Sequence, residues 1–158
     1  MKNTNRIYAH PEYQDLLQRL EKYEAERIFC KHDFQHFIDV ARILTIYTLE
    51  EGLEIPRDLI YTTALLHDIG RCLEHENGTP HDQASVEIAT ELLAVTDFSK
   101  AEQEMILTAI EGHRKANNAD LFSELFYRAD KTSRLCFRCP AKPLCNWPEE
   151  RKNKRIII

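Results

Sequence analysis

Apolar residues in this chain recur at intervals of three and four, and no stretch alternates them with polar residues over the length of a strand. Such spacing gathers them on one stripe of a helix, and only four glycines in 158 residues interrupt it. The expectation is an all-α, single-domain fold of about six helices, long enough to bury one substantial core without staples.

Capping residues set the helix boundaries. A first helix is expected from Pro11, which suits a first turn, through Leu16, Leu17, Leu20 and Tyr23 to about Arg27. A second begins at Asp33 as N-cap, carries Phe37, Val40, Ala41, Leu44 and Thr48, and stops at Gly52. The third runs from Pro56 to about Gly70, and a polar loop from Leu73 to Pro80 follows it. The fourth covers about His81 to Val95. The fifth, about Ser99 to Ala116, opens on Ser99 and Glu102 in capping-box spacing, and the sixth spans about Asp120 to Phe137.

Several polar residues fall on the apolar stripes. His36 aligns with Val40, Ile43 and Tyr47; His67 with Ile60 and Ala64; His81 with Ser85, Ile88 and Leu92. His113 shares a face with Ile106, Ala109 and Ile110, and Asp130 with Phe122, Phe126 and Ala129. Taken alone, the His67-Asp68 pair reads as a satisfied buried histidine followed by a helix-end aspartate. The wider set changes that reading. Each buried histidine would otherwise need its own partner, and a buried aspartate is costly unless paired or bound to metal. Convergence on one centre meets both demands, and imidazole with carboxylate suits divalent transition metals, iron or manganese foremost. His10, His32 and His75 are read as surface histidines.

Charge narrows the partners. The net charge is −5 and the cations form no long basic run, so nucleic acid is not an expected partner. A small anionic substrate stays open, because a few local cations and metals outweigh a mildly acidic whole. Neither an apolar signal region nor a run of membrane-spanning length is visible, which points to a cytoplasmic protein with no membrane partner. Five cysteines, an odd number, fit a reducing compartment better than a disulfide framework.

The spacing Cys136-x-x-Cys139, followed by Cys145 in a Pro-rich stretch, looks like a metal knot. Cys30 precedes His36 by as many residues as Cys136 follows Asp130. If those two helices run antiparallel and share a metal, both cysteines lie about 9 Å along the same direction from it, at a rise of about 1.5 Å per residue. A second metal site of Cys30, Cys136, Cys139 and Cys145 is therefore expected in a C-terminal extension at about 136–150, holding zinc or an iron–sulfur cluster. Its alternative is unligated cysteines, some buried and some forming an adventitious disulfide. Cys72 is read as a small buried residue.

His36 with Val40-Ala41, then Leu65-Leu66-His67-Asp68-Ile69-Gly70, then Ala129-Asp130-Lys131, resembles the HD-domain superfamily over roughly residues 30–135. The resemblance implies a helical metal-dependent phosphohydrolase, in which a metal-activated water attacks a phosphoester or phosphoanhydride of a nucleotide or similar small phosphorylated molecule. The family's minimal ligand set carries over to His36, His67, Asp68 and Asp130. Its two-metal branch adds two histidines that fall at His81 and His113, with Asp68 bridging the ions. Arg71, Arg114 and Lys131, close to these ligands in sequence, are candidates to grip phosphate oxygens beside Asp68. There is no Gly-Tyr-Pro signature of the cyclic-di-guanylate branch. Two other readings stay open: a di-iron HD-type oxygenase, and a non-catalytic nucleotide-binding or redox-sensing module.

Overall fold

A computed structural model describes residues 1–114 and 120–158 of the chain. The described residues form eight α-helices and three 3-10 turns, with no strand among them. The helices are α1 (Lys2–Tyr8), α2 (Pro11–Glu24), α3 (Phe34–Glu50), α4 (Arg57–Leu66), α5 (Arg71–Asn77), α6 (His81–Leu93), α7 (Lys100–Gly112) and α8 (Leu121–Thr132). The expected end of the fifth helix at Ala116 lies outside the described residues.

Helix α3 is the centre of the fold, packed between α4 and α8, while α7 bridges α4, α6 and α8. Phe37, Val40, Leu44, Ile60, Leu66, Ile110 and Phe126 meet in one core, each with almost no exposure. Asp33 caps α3 by accepting from His36 N at 2.9 Å, Asp120 caps α8, and Ser99 with Glu102 forms the capping box of α7.

Several boundaries differ from the sequence reading. The N-terminal helix α1 was not expected, because seven residues with a single core anchor, Ile7, carry no readable stripe. It is capped from another helix: Asp58 accepts from the backbone of Asn3 at 3.0 Å and of Thr4 at 2.8 Å. The stretch expected as a loop from Leu73 is helical as far as Asn77, where Gly78 at φ +80° ends it. The last helix stops at Thr132 rather than Phe137, and Cys136–Arg138 and Lys142–Leu144 fold into separate 3-10 turns.

Between α4 and α5 the chain turns tightly, with Arg71 N donating to Asp68 O at 3.0 Å and Leu73 N to Gly70 O at 3.0 Å. His67 and Asp68 therefore stand in this turn, just past the helix that was expected to carry them. Gly70 allows α6 to approach. A Cβ there would lie 2.4 Å from Ser85 N and 2.5 Å from His81 O, and instead Gly70 N donates to Ser85 Oγ at 3.0 Å. The close approach brings the start of α6, and His81 with it, up to Asp68.

Candidate metal centre

Five residues proposed from the sequence, His36, His67, His81, His113 and Asp130, meet around a sixth, Asp68. Its Oδ2 lies 3.2 Å from His67 Nε2 and 3.7 Å from His36 Nε2. Its Oδ1 lies 3.5 Å from Nε2 of both His81 and His113. Asp130 Oδ1 stands 3.4 Å from His36 Nε2. Two groups of ligand atoms close to within 4.8 Å: His36, His67, Asp68 and Asp130 on one side, and Asp68, His81 and His113 on the other. Asp68 belongs to both.

Each histidine is aimed by a bond at its other nitrogen. His67 Nδ1 donates to Ala64 O at 2.7 Å and His113 Nδ1 to Ile110 O at 2.5 Å. His81 Nδ1 donates to the Glu74 carboxylate at 3.0 Å, and His36 Nδ1 to Ser133 Oγ at 3.3 Å, whose own hydroxyl donates to Asp130 O. Carbonyl and carboxylate oxygens only accept, so at His67, His81 and His113 a proton sits on Nδ1 and Nε2 is the atom turned to the centre. The Nε2 atoms of His36, His67 and His113 and Oδ1 of Asp130 are buried without a hydrogen-bond partner. Buried polar atoms are otherwise almost always satisfied, so four orphans pointing at one place fit a metal ligand set.

The electrostatics agree. Burial works against charge on Asp68, but His67 and Arg71 hold its carboxyl well below the usual carboxylate range. Asp130 behaves likewise: burial opposes its charge, while His36, Lys131 and Arg134 favour it. Burial also disfavours an imidazolium at His36, yet Asp130 and Asp68 outweigh it and raise its pKa to about 9. Two ionised carboxylates thus attract positive charge to a position that a divalent cation can fill.

One expectation fails here. His32 is 3 % exposed rather than on the surface, with Nδ1 3.2 Å from Glu24 Oε2 and Nε2 3.9 Å from Asp68 Oδ2. It precedes the N-cap of α3 and so belongs to no helical stripe. Glu24, itself 1 % exposed, also meets His75 at 3.3 Å, so a buried carboxylate stands behind Asp68 that no periodicity marks as functional. His75 is partly exposed and stacks on Tyr23.

A cavity of about 520 Å³ opens on the Asp68, His81, His113 and Asp130 side of the centre. All three proposed phosphate-gripping cations line it. Arg71 donates from Nε to Asp68 Oδ1 at 3.0 Å and from Nη2 to His81 Nε2 at 3.3 Å. Lys131 reaches Asp130 and lies over the Tyr127 ring, while Arg114 pairs with Asp82 at 3.3 Å on the exposed rim. The sequence reading missed Arg128, Arg134 and Arg151, which line the same cavity, and Trp147, which walls it from the C-terminal segment. Those residues carry no periodic signal, because they reach the cavity from the end of α8 and from the turns beyond it.

The cysteine expectations meet a mixed geometry. Cys72 is buried in the core, and its thiol donates to Glu76 Oε1 at 3.4 Å. Cys30, Cys136, Cys139 and Cys145 line a different cavity together, all free thiols.

The HD domain family matches residues 33–135, most of the chain, and the chain belongs to that family. An uncharacterized protein of Clostridium beijerinckii is 47 % identical over 156 residues, covering 99 % of both chains. Ribonuclease Y of Enterococcus faecalis is 30 % identical over 107 residues, which are 68 % of this chain and 19 % of that one. Ribonuclease Y of Latilactobacillus sakei is 32 % identical over 84 residues, 53 % of this chain and 16 % of its own. The chain therefore spans about a fifth or less of these ribonuclease relatives. Among solved structures, a predicted HD superfamily hydrolase from an uncultured Thermotogales bacterium shares the fold, with a TM-score of 0.64 at 23 % identity over 90 % of this chain and 82 % of that one. No helix among the described residues is long and apolar enough to cross a membrane.

Proposed function

We propose that this protein is a metal-dependent phosphohydrolase whose substrate is a small phosphorylated molecule, a nucleotide or close relative. The observation that carries the reading is Asp68, whose two carboxylate oxygens face two separate sets of histidine Nε2 atoms at 3.2 to 3.7 Å. His36, His67, Asp68 and Asp130 would hold one divalent ion and Asp68, His81 and His113 a second, with iron or manganese suited to these donors. When bound, such ions supply Lewis acidity toward a phosphoryl oxygen and a water acidic enough to attack near neutral pH.

The chain's own groups do the rest. Arg71 is anchored to Asp68 and Glu74 and turns a guanidinium into the cavity, where it can meet two phosphate oxygens at once. Lys131 and Arg114 add charge to the lining, and Arg128 and Arg151 extend it. Tyr127 and Trp147 place aromatic surface among those cations, which suits a base or other flat group attached to phosphate. The cavity volume is that of a small-ligand site. Ribonuclease Y, by its name, cleaves RNA, which supports phosphoester chemistry in the shared segment. The chain's net charge of −5 favours a small substrate over a polynucleotide.

The test is phosphate release from a panel of nucleotides and dinucleoside polyphosphates. Protein is prepared without oxygen, reloaded with manganese or ferrous iron, and run beside Asp68→Ala. Turnover present in the wild type and absent in the variant is the expected result. No turnover on any compound with both ions demonstrably bound overturns it, and oxygen consumption coupled to a carbon substrate would replace it with an oxygenase.

A further inference from the structure

We propose that Cys30, Cys136, Cys139 and Cys145 hold a [4Fe–4S] cluster, and that this cluster fastens the C-terminal segment that walls the metal cavity. The four thiols come from two distant parts of the chain and line one cavity of about 400 Å³ beside the start of α3. Two 3-10 turns set the spacing of the last three. Cys139 N donates to Cys136 O at 3.3 Å, Lys142 N to Cys139 O at 3.2 Å, and Cys145 N to Lys142 O at 3.2 Å. Each of these cysteines thus stands at the edge of a tight turn, where a side chain can point into a shared space.

The spacing of the sulfurs separates a cluster from zinc. Zn–S bonds of about 2.3 Å in a tetrahedron draw four sulfurs to within about 3.8 Å of one another. Among the described residues, the groups of ligand atoms that close to within 4.8 Å are those of the histidine–aspartate centre, and the cysteines form none. A cuboidal cluster carries its thiolates on four outer corners, with iron and sulfide between them, so it demands a wider spacing and a void. Both are present.

Charge supplies a second observation. The four thiols bind as thiolates, each giving up its proton, and the cluster they hold is anionic. Lys31, Arg134, Arg138, Lys142 and Lys152 line the same cavity. Arg134 is the telling one. Its side chain is 9 % exposed, and its Nε and Nη1 are buried with no hydrogen-bond partner. Hydrogen bonds to cluster sulfurs would satisfy them. Its remaining Nη2 lies 3.7 Å from Asp130 Oδ1 and its guanidinium stacks 4.1 Å over Trp147. One side chain therefore touches a candidate metal ligand, the cavity wall and the cysteine cavity. Beyond Cys145, Lys152 donates to Cys145 O at 3.3 Å, and Asn153 donates to the carbonyls of Lys131 and Arg134 at 2.8 and 2.7 Å. The chain between these ties carries Trp147 and Arg151 into the other cavity.

The test is iron and acid-labile sulfide analysis, with visible absorption, on the full chain purified without oxygen. About four sulfides per chain and a broad visible absorption are expected in the wild type. Sulfide separates this site from iron at the histidine–aspartate centre, so Asp68→Ala should lose iron but keep its sulfide, whether or not the protein hydrolyses phosphate. Cys139→Ser and Cys30→Ser should lose the sulfide, while Cys72→Ser should keep it. If a variant does not fold, the wild-type sulfide content still decides. Zinc bound without sulfide overturns the proposal, as do metal-free thiols or a disulfide. Sulfide retained in Cys30→Ser overturns the assigned ligand set.

Discussion

Glu74 holds His81 by a bond from the imidazole Nδ1 to both carboxylate oxygens, each at 3.0 Å, and so fixes the histidine that opens α6. Of the four metal-facing histidines, His81 alone is aimed by a charged acceptor. Glu74→Ala should therefore weaken one metal position and spare the other. Outer carboxylates of this kind are worth about 10- to 100-fold in metal affinity. Metal titration should show one ion bound as in the wild type and one bound more weakly, with Glu74→Gln between the two. Equal weakening at both positions would break the assignment of His81 to a separate set.

Arg71 binds Asp68, Glu74 and His81 with different nitrogens of one planar group. Lysine offers no such fork. Arg71→Lys should raise KM for the phosphorylated substrate about 10- to 100-fold, the value of one or two charged hydrogen bonds at about 1.5 to 3 kcal/mol. The metal content should be unchanged. Steady-state kinetics alongside metal analysis checks both halves.

Gly70→Ala places a methyl against the backbone of α6, 2.4 Å from Ser85 N, where no flexible side chain can yield. Overpacking of this kind costs about 1 to 3 kcal/mol, or roughly 2 to 4 °C in melting temperature per kcal/mol for a domain of this size. The same shift moves His81 away from Asp68, so loss of the metal position formed by Asp68, His81 and His113 should accompany the lower melting temperature. Calorimetry with and without added manganese tests the pairing of the two effects.

Asp58 ties α1 to α4 through the backbone of Asn3 and Thr4 and through the Thr4 hydroxyl at 2.6 Å. Partial burial raises its pKa, but the hydrogen bonds from Thr4 and Asn3 outweigh it and hold the group below its ordinary value of 3.8. A carboxyl lowered on folding stabilises the fold fully above its unfolded pKa and loses that contribution as pH falls through the folded one. Asp58→Asn, which keeps one acceptor oxygen and loses the other with the charge, should therefore cost about 1 kcal/mol near pH 7. The gap to the wild type should close as pH drops below about 4. Denaturant unfolding at several pH values measures it.

Much of the centre was legible because a helix converts spacing into direction. His36, His81, His113 and Asp130 each shared a stripe with buried apolar residues, and in water such a stripe has only one side to face. His32 escaped for the same reason: it sits ahead of Asp33, where no repeat says which way a side chain points. α1 escaped because its stability lies in Asp58, far along the chain.

The sequence by itself determined the helical class, the core and the ligand types, since these follow from local periodicity, caps and the cost of burying unpaired charge. Only the tertiary structure decided that Asp68 divides its oxygens between two histidine pairs, that Arg134 stands between the metal cavity and the cysteines, and that Trp147 closes the wall. Those relations depend on how α3 packs on α4 and α8 and α6 on α7, and on turns that no repeat encodes. Distance between side chains on different elements is set by packing, and packing is a property of the whole core.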